Sequence, residues 1–382
     1  MTLLKIQSLL PLAALLLLIS VTPTMAKVVT SVSQCAEFFL QQTPPYIPEI
    51  LKNGNILDQN RYKPICQTLN DTRTFVTLYD TTNKIPVFSA YKYRGNQKRK
   101  RPANIWKIEP QLEDRNGDDN MQRANDKRRY NHQAGNTDYK NQGFDRGHLL
   151  PSSYGFSEND KESTFTLTNV VPQEGTFNKG SWNYMEQCVR CVLDKYCINN
   201  NDITEGFVVI GAKPSDNDIL NNRINIPSML WSAFCCYSRE KGWLASAHWG
   251  ENIPDINKHL QTKTLAELHA ELGGSFSAFP GTQCPLHTTV THLYPHLNKN
   301  CSCPPPTSST SAPPTTTATP TSASLSTTPA PPSSTSGSLT ATSTPLSTTS
   351  GLFTNTPDTS TSGLTTTIPG ASTSGPPTTT PG

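Results

Sequence analysis

Downstream of residue 21 the chain lacks any apolar run near the roughly 20 residues that a membrane-spanning helix requires. No hydrophobic stretch precedes the terminal Pro-Gly, which argues against a lipid-anchor signal. Net charge is nearly absent too: 32 Lys and Arg against 29 Asp and Glu leave +3, and discounting Lys5 and Asp358 keeps +3 for residues 27–303. Any polyanion must therefore be held by local patches, not by the field of the whole molecule. An odd cysteine is also missing, since Cys occurs ten times, as a disulfide framework requires. Cys188 and Cys191 have zinc-like spacing, but no second such pair follows, so disulfides are expected there as well. Cys235 and Cys236 are adjacent, and on a strand they face opposite sides and pair with different partners.

Composition divides the chain into three parts. Lys5, the apolar run 9–21 and Thr24-Met25-Ala26 read as a secretory signal peptide over residues 1–26. Residues 304–382 are almost entirely Pro, Thr, Ser, Ala and Gly with Asp358 as the one charge, a mucin-like tail expected to be disordered and O-glycosylated. Residues 27–303 hold all ten cysteines and form one domain. The expectation is a secreted, extracellular glycoprotein without a membrane partner.

Within the domain, Cys35 to Cys66 reads as a Pro-rich irregular clip closed by that pair, and Asn70-Asp71-Thr72 is a glycosylation sequon. Residues 74–79 and 84–93 form a hairpin around Thr81-Thr82-Asn83. Lys98-Arg99-Lys100-Arg101 then opens a long polar excursion to Tyr139, with a second basic cluster at Lys127-Arg128-Arg129. Strands are expected at 144–150 and 164–171, the latter stopped by Pro172, and a helix at 181–197. The runs 206–211, 229–237 and 243–249 add strands, and Thr264 and Glu267 make a capping box for a short helix. The class is α+β. His287, His292 and His296, interleaved with Pro, Thr and Leu, read as an ordinary loop.

The stretch 141–186 carries the chemistry. Phosphodiester hydrolysis needs a base for water, a cation for the developing charge and a clamp for the phosphate. His148 is the candidate base, because a neutral imidazole accepts a proton near pH 7. Arg146 is a permanently charged fork that matches phosphate geometry. Asn178 offers an amide oxygen to a hard cation that keeps most of its water, Mg²⁺ or alternatively Mn²⁺. Glu186 orients the remaining waters, Asn169 fixes the His148 ring, and Gly147 lets backbone and substrate approach closely. Arg101 and Asp145 complete the expected substrate-binding set.

Asp145-Arg146-Gly147-His148, followed by Thr168-Asn169, Asn178 and Glu186, resembles the DNA/RNA non-specific endonuclease family of ββα-metal (His-Me finger) nucleases. Trp106-Lys107-Ile108-Glu109-Pro110 resembles the segment that precedes the family's motif. The resemblance covers about residues 74–249. The extra cysteines and the hairpin segments are most similar to the endonuclease domain-containing 1 group. It implies a ββα-metal fold around a mixed or antiparallel sheet. It also implies Mg²⁺-dependent cleavage of DNA and RNA through their phosphate backbones, with little base selectivity, leaving 5′-phosphate and 3′-hydroxyl ends. Two alternatives compete: a silent nuclease-fold binding or matrix glycoprotein, and a phosphodiesterase with a substrate other than nucleic acid. Oligomeric state is not legible.

Overall fold

The computed structural model describes residues 28–97, 100–255 and 259–305. The expected signal peptide over residues 1–26, Lys98-Arg99 and almost all of the expected tail lie outside these residues. Every described residue falls within one unit, Met1–Ser311; a second unit, Ala312–Gly382, also lies outside them.

Eight strands matter for the site: β1 (Tyr62–Leu69), β2 (Thr72–Asp80), β3 (Ile85–Tyr93), β4 (Asp145–His148), β5 (Val170–Gln173), β6 (Gly206–Lys213), β7 (Met229–Ser238) and β8 (Gly242–Glu251). Six form one sheet in the order β8-β7-β6-β3-β2-β1. All its pairings are antiparallel. The apolar run at residue 206 thus becomes the inner strand β6. β1 lies where an irregular clip was expected, although the Cys35–Cys66 bond that closes the clip forms. Asn70 is exposed in the turn between β1 and β2, as a sequon requires.

Side chains alternate across the sheet. Val208, Ile210, Leu230, Phe234 and Cys236 enter one core, and Phe207, Val209, Trp231, Ala233 and Cys235 enter the other. This period of two is the reason that neighbouring cysteines bond in opposite directions. Cys236 reaches Cys197 and Cys235 reaches Cys284. Helix α1 (Asn183–Tyr196) covers the first face with Val189, Val192 and Leu193. Its Cys188 and Cys191 are bonded to Cys303 and Cys301, not to zinc, which staples the end of the domain to the helix.

The functional ribbon packs under this face. β4 and β5 pair with Asp145 opposite Gln173 and His148 opposite Val170. β5 starts later than expected, because Leu167–Asn169 closes a 3₁₀ turn. Pro172 does not stop it but lies inside it, tolerated because the ribbon has only two strands and needs no N–H there. Before α1, Gly175–Phe177 and the wide π-type turn Asn178–Trp182 replace the expected continuous helix start. Such wide turns expose side chains that a regular helix would carry round its axis.

The excursion after residue 93 is not a solvated loop. Its Ile108, Ala124, Tyr130, Ala134 and Tyr139 are buried in the core that faces α1, and Met121 is buried as well. Lys107–Ile108 pairs with Gln122–Arg123. These apolar residues recur at no fixed period, so periodicity could not find them.

Gly147 is required by its neighbour Gln173. A Cβ there would lie 2.1 Å from Gln173 Oε1 and 2.5 Å from Gln173 Cβ. Gly147→Ala is therefore expected to lower unfolding free energy by about 1–3 kcal/mol, the usual cost of overpacking. Urea denaturation reads it, and Gln173→Ala in the same chain is expected to return part of the loss. A Gly147→Ala variant as stable as the parent would contradict this account.

Candidate active site

β4 is short, yet its alternation sorts the motif. Arg146 and His148 share one face and both contact Trp106, at 5.3 Å from the indole centre in each case. The His148 ring also meets the edge of Phe165, with centroids 4.8 Å apart. Its Nε2 is buried without a hydrogen-bond partner. Burial in this aromatic slot, helped by the positive field of Arg101, pushes the imidazole down to about 3. The ring is consequently neutral at every physiological pH.

Arg101 lies over Phe165 at 5.0 Å and donates to the Ser152 hydroxyl at 3.4 Å. The same guanidinium acts on Glu186. Burial pushes that carboxyl up to about 8, against the opposing pull of Arg101, the Trp182 indole N–H and Arg190. The indole points at Glu186 but falls short of hydrogen-bond geometry, and its Nε1 has no closed partner. His148, Arg101 and Glu186 therefore form one electrostatic group.

On the other face of β4, Asp145 Oδ2 accepts from Asn178 Nδ2 at 3.0 Å and from the Lys179 ammonium. This bond fixes the Asn178 amide and leaves Oδ1 as an unclaimed acceptor. Asp145 is thus a support for Asn178, a different placement from the expected contact with substrate. Among the described residues no three His, Cys, Asp or Glu side chains converge, His287, His292 and His296 included. The donors fit a hard, largely hydrated divalent cation on one oriented amide oxygen, and do not fit a caged Zn²⁺.

Asn169 does not touch the His148 ring. Its Oδ1 accepts from Leu150 N at 3.1 Å and Ser89 Oγ at 2.9 Å, and its Nδ2 donates to the carbonyls of Leu150 and Thr164 at 3.0 Å each. Its own carbonyl accepts from Leu149 N at 2.9 Å. Both ends of its amide thus hold the backbone that leaves His148, with Ser89 and Thr164 as second partners.

Arg146 is set apart from the group of His148, Arg101 and Glu186. Its guanidinium lies between Trp106 and Tyr139, 5.3 and 5.2 Å from the ring centres. It donates to the Asn136 carbonyl at 3.5 Å, and its Nε is buried without a partner. Sequence reasoning missed Phe165, Tyr139 and Trp182 as parts of the site. Trp106 stood in the segment before the motif, whereas Tyr139 gave no signal in the chain.

The site stands inside a region that matches known proteins. The profile of the family described as DNA/RNA non-specific endonuclease matches residues 53–259. The human endonuclease domain-containing 1 protein is 28% identical over 248 residues, covering 62% of this chain and 45% of that protein. The mouse protein of that name is 28% identical over 218 residues, covering 55% and 40%. The match thus spans less than half the length of these relatives. Human mitochondrial endonuclease G is 39% identical over 66 residues, 17% of this chain and 22% of that protein. A solved structure of an EndoG/EndoGI complex superposes with a TM-score of 0.42 at 18% identity, covering 58% of this chain and 90% of that one. Because the family profile extends over more than half of the 382 residues, the chain belongs to the DNA/RNA non-specific endonuclease family.

Proposed function

We propose that the protein is a secreted, metal-dependent endonuclease that hydrolyses DNA and RNA with little sequence preference. His148 is its general base, and Asn178 holds Mg²⁺ or Mn²⁺. The observation that carries this reading is His148 itself, a neutral imidazole fixed between Trp106 and Phe165, with the charge of Arg101 acting both on it and on Glu186. No structural role requires an unpartnered imidazole nitrogen in that slot.

His148 takes the proton of the attacking water. A base held this far below its usual range is a weak acceptor, and the negative phosphate of a bound substrate raises its affinity for the proton. Arg101 neutralises the phosphate next to the base. When bound, the cation supplies charge neutralisation on the phosphate and the leaving oxygen. Asp145, by holding Asn178 Nδ2, would leave the Asn178 oxygen free for that cation, and Glu186 would orient water. Contacts to phosphate carry no base information, which accounts for low sequence preference.

Five disulfides suit an oxidising compartment, in line with export. Among the described residues no helix is long and apolar enough to cross a membrane. The first test is plasmid nicking and RNA degradation by the mature protein with Mg²⁺, with and without EDTA. Cutting that EDTA abolishes supports the reading. Intact DNA and RNA across a range of pH and divalent ions would leave the nuclease reading without ground.

The half-buried imidazole also sets a pH dependence. Its folded value lies below the ordinary 6.5, so stability is complete above pH 6.5 and is lost as pH falls toward 3. His248, pushed down to about 4 by burial, adds in the same direction. His148→Phe, which cannot take a proton, is therefore expected to show a smaller fall in melting temperature between about pH 7 and pH 4 than the parent. Equal falls in the two proteins would refute a neutral His148.

A further inference from the structure

Arg101 and Arg146 do not act on the same place. Arg101 lies over Phe165, whose edge meets His148, and its charge acts on His148 and Glu186. Arg146 faces a separate cavity of about 370 Å³ that includes Trp106, Arg123, Lys140, Asn136 and Asp126 but not His148. The cavity is cationic. Asp126 is its one carboxylate, already engaged by Asn136 Nδ2 at 2.7 Å, and the Asp126 carbonyl accepts from Lys140 Nζ at 2.8 Å. Arg123 is exposed, and its side chain makes no ion pair or hydrogen bond within the described residues. Asn136 Oδ1 and Arg146 Nε are both buried without partners.

The aromatic faces exclude a stacked base as occupant, because Arg146 already covers Trp106 and Tyr139. What remains unclaimed is positive charge and hydrogen-bonding capacity, the chemistry of a phosphate site. We propose that this cavity receives the phosphate adjacent to the scissile one on the same strand, held by Arg146, Arg123 and Lys140, while Arg101 addresses the scissile phosphate. The inference rests on the nuclease reading and deepens it. Arg146 and His148 contact the same indole, each 5.3 Å from its centre, so the cavity adjoins the place of the scissile phosphate. The enzyme then favours an internal linkage over an isolated one, which is the selectivity of an endonuclease.

The test compares a dinucleoside monophosphate with the same molecule carrying an added 5′- or 3′-phosphate. For the wild-type protein with Mg²⁺, one phosphorylated form is expected to be hydrolysed with kcat/KM about 10- to 150-fold higher, the range for hydrogen bonds to a charged group. In the Arg123→Ala/Lys140→Ala protein that advantage falls by about tenfold or more, to what Arg146 alone sustains. Equal rates on all three substrates for the wild type, or an advantage undiminished by the double substitution, would overturn the proposal. A second arm measures binding of a fluorescent single-stranded oligonucleotide in EDTA against salt. The double variant is expected to lose about 0.7 from the log–log slope, one phosphate's share on single strands. An unchanged slope overturns the proposal as well. If the wild type hydrolyses none of the substrates and leaves plasmid and RNA intact as well, the nuclease reading fails, and the binding arm still decides whether the cavity holds a phosphate. Arg123 and Lys140 are exposed, so their removal uncovers no core.

Discussion

His148→Ala is expected to slow plasmid nicking by about 10²- to 10⁴-fold at saturating Mg²⁺, the usual worth of a positioned general base. The loss is in the chemical step, because the imidazole touches Trp106 and Phe165 and donates to no other protein group. Oligonucleotide binding in EDTA is therefore expected to change little. The substitution also leaves a ring-shaped void between two aromatic side chains, which provides a control. Free imidazole at high concentration can enter the void and return part of the rate. Rescue by imidazole separates a missing base from a misfolded site, since a misfolded site gains nothing from it. A variant that cuts within about tenfold of the parent would mean that the proton goes elsewhere.

Asn178→Ala is expected to raise the Mg²⁺ concentration for half-maximal cutting by at least 10- to 100-fold, since even supports of a metal ligand are worth that much. The expectation rests on an amide whose Nδ2 is fixed by Asp145 at 3.0 Å, so that its Oδ1 is oriented before any cation arrives. Asp145→Ala removes the support and keeps the oxygen, so a smaller shift in the same direction follows. It also frees Lys179, whose ammonium pairs with Asp145, to repel a cation nearby. Calorimetric titration with Mn²⁺ reads affinity independently of turnover. Affinities for Mn²⁺ that are the same in the parent and both variants would remove Asn178 from the metal site.

Glu186 links the two predictions. Without a cation its carboxyl ionises only near pH 8, so at neutral pH it is largely protonated. A divalent cation close by favours the ionised form, and the charge appears where waters must be ordered. The metal dependence of cutting is accordingly expected to weaken as pH rises through that range.

The motif Asp145-Arg146-Gly147-His148, with Asn178 and Glu186 downstream, was legible because each is a polar residue of a distinct chemical type in a fixed order. The disulfide-bonded domain was legible from an even cysteine count, and the opposite directions of Cys235 and Cys236 followed from the two-residue period of a strand. Inner strand β6 announced itself as a continuous apolar run. Such signals are local, and local patterns survive in a one-dimensional record.

What the fold alone decided are the relations between distant segments. Trp106, Phe165 and His148 come from three separate stretches, and only packing makes them a slot that keeps an imidazole neutral. Asn169 looks like a site residue in sequence, but burial commits its whole amide to Leu150, Thr164 and Ser89. Asp145 turned out to hold Asn178, and Gly147 to make room for Gln173, because strand alternation and pairing set their neighbours. Arg101 came to share a field with His148 and Glu186, while Arg146, two residues from the base, was turned into another cavity. The sequence by itself determined which chemical groups are present and that they belong to one α+β domain. The tertiary structure decided which of them meet and which are charged, since desolvation and field depend on every neighbour in space and not on order along the chain.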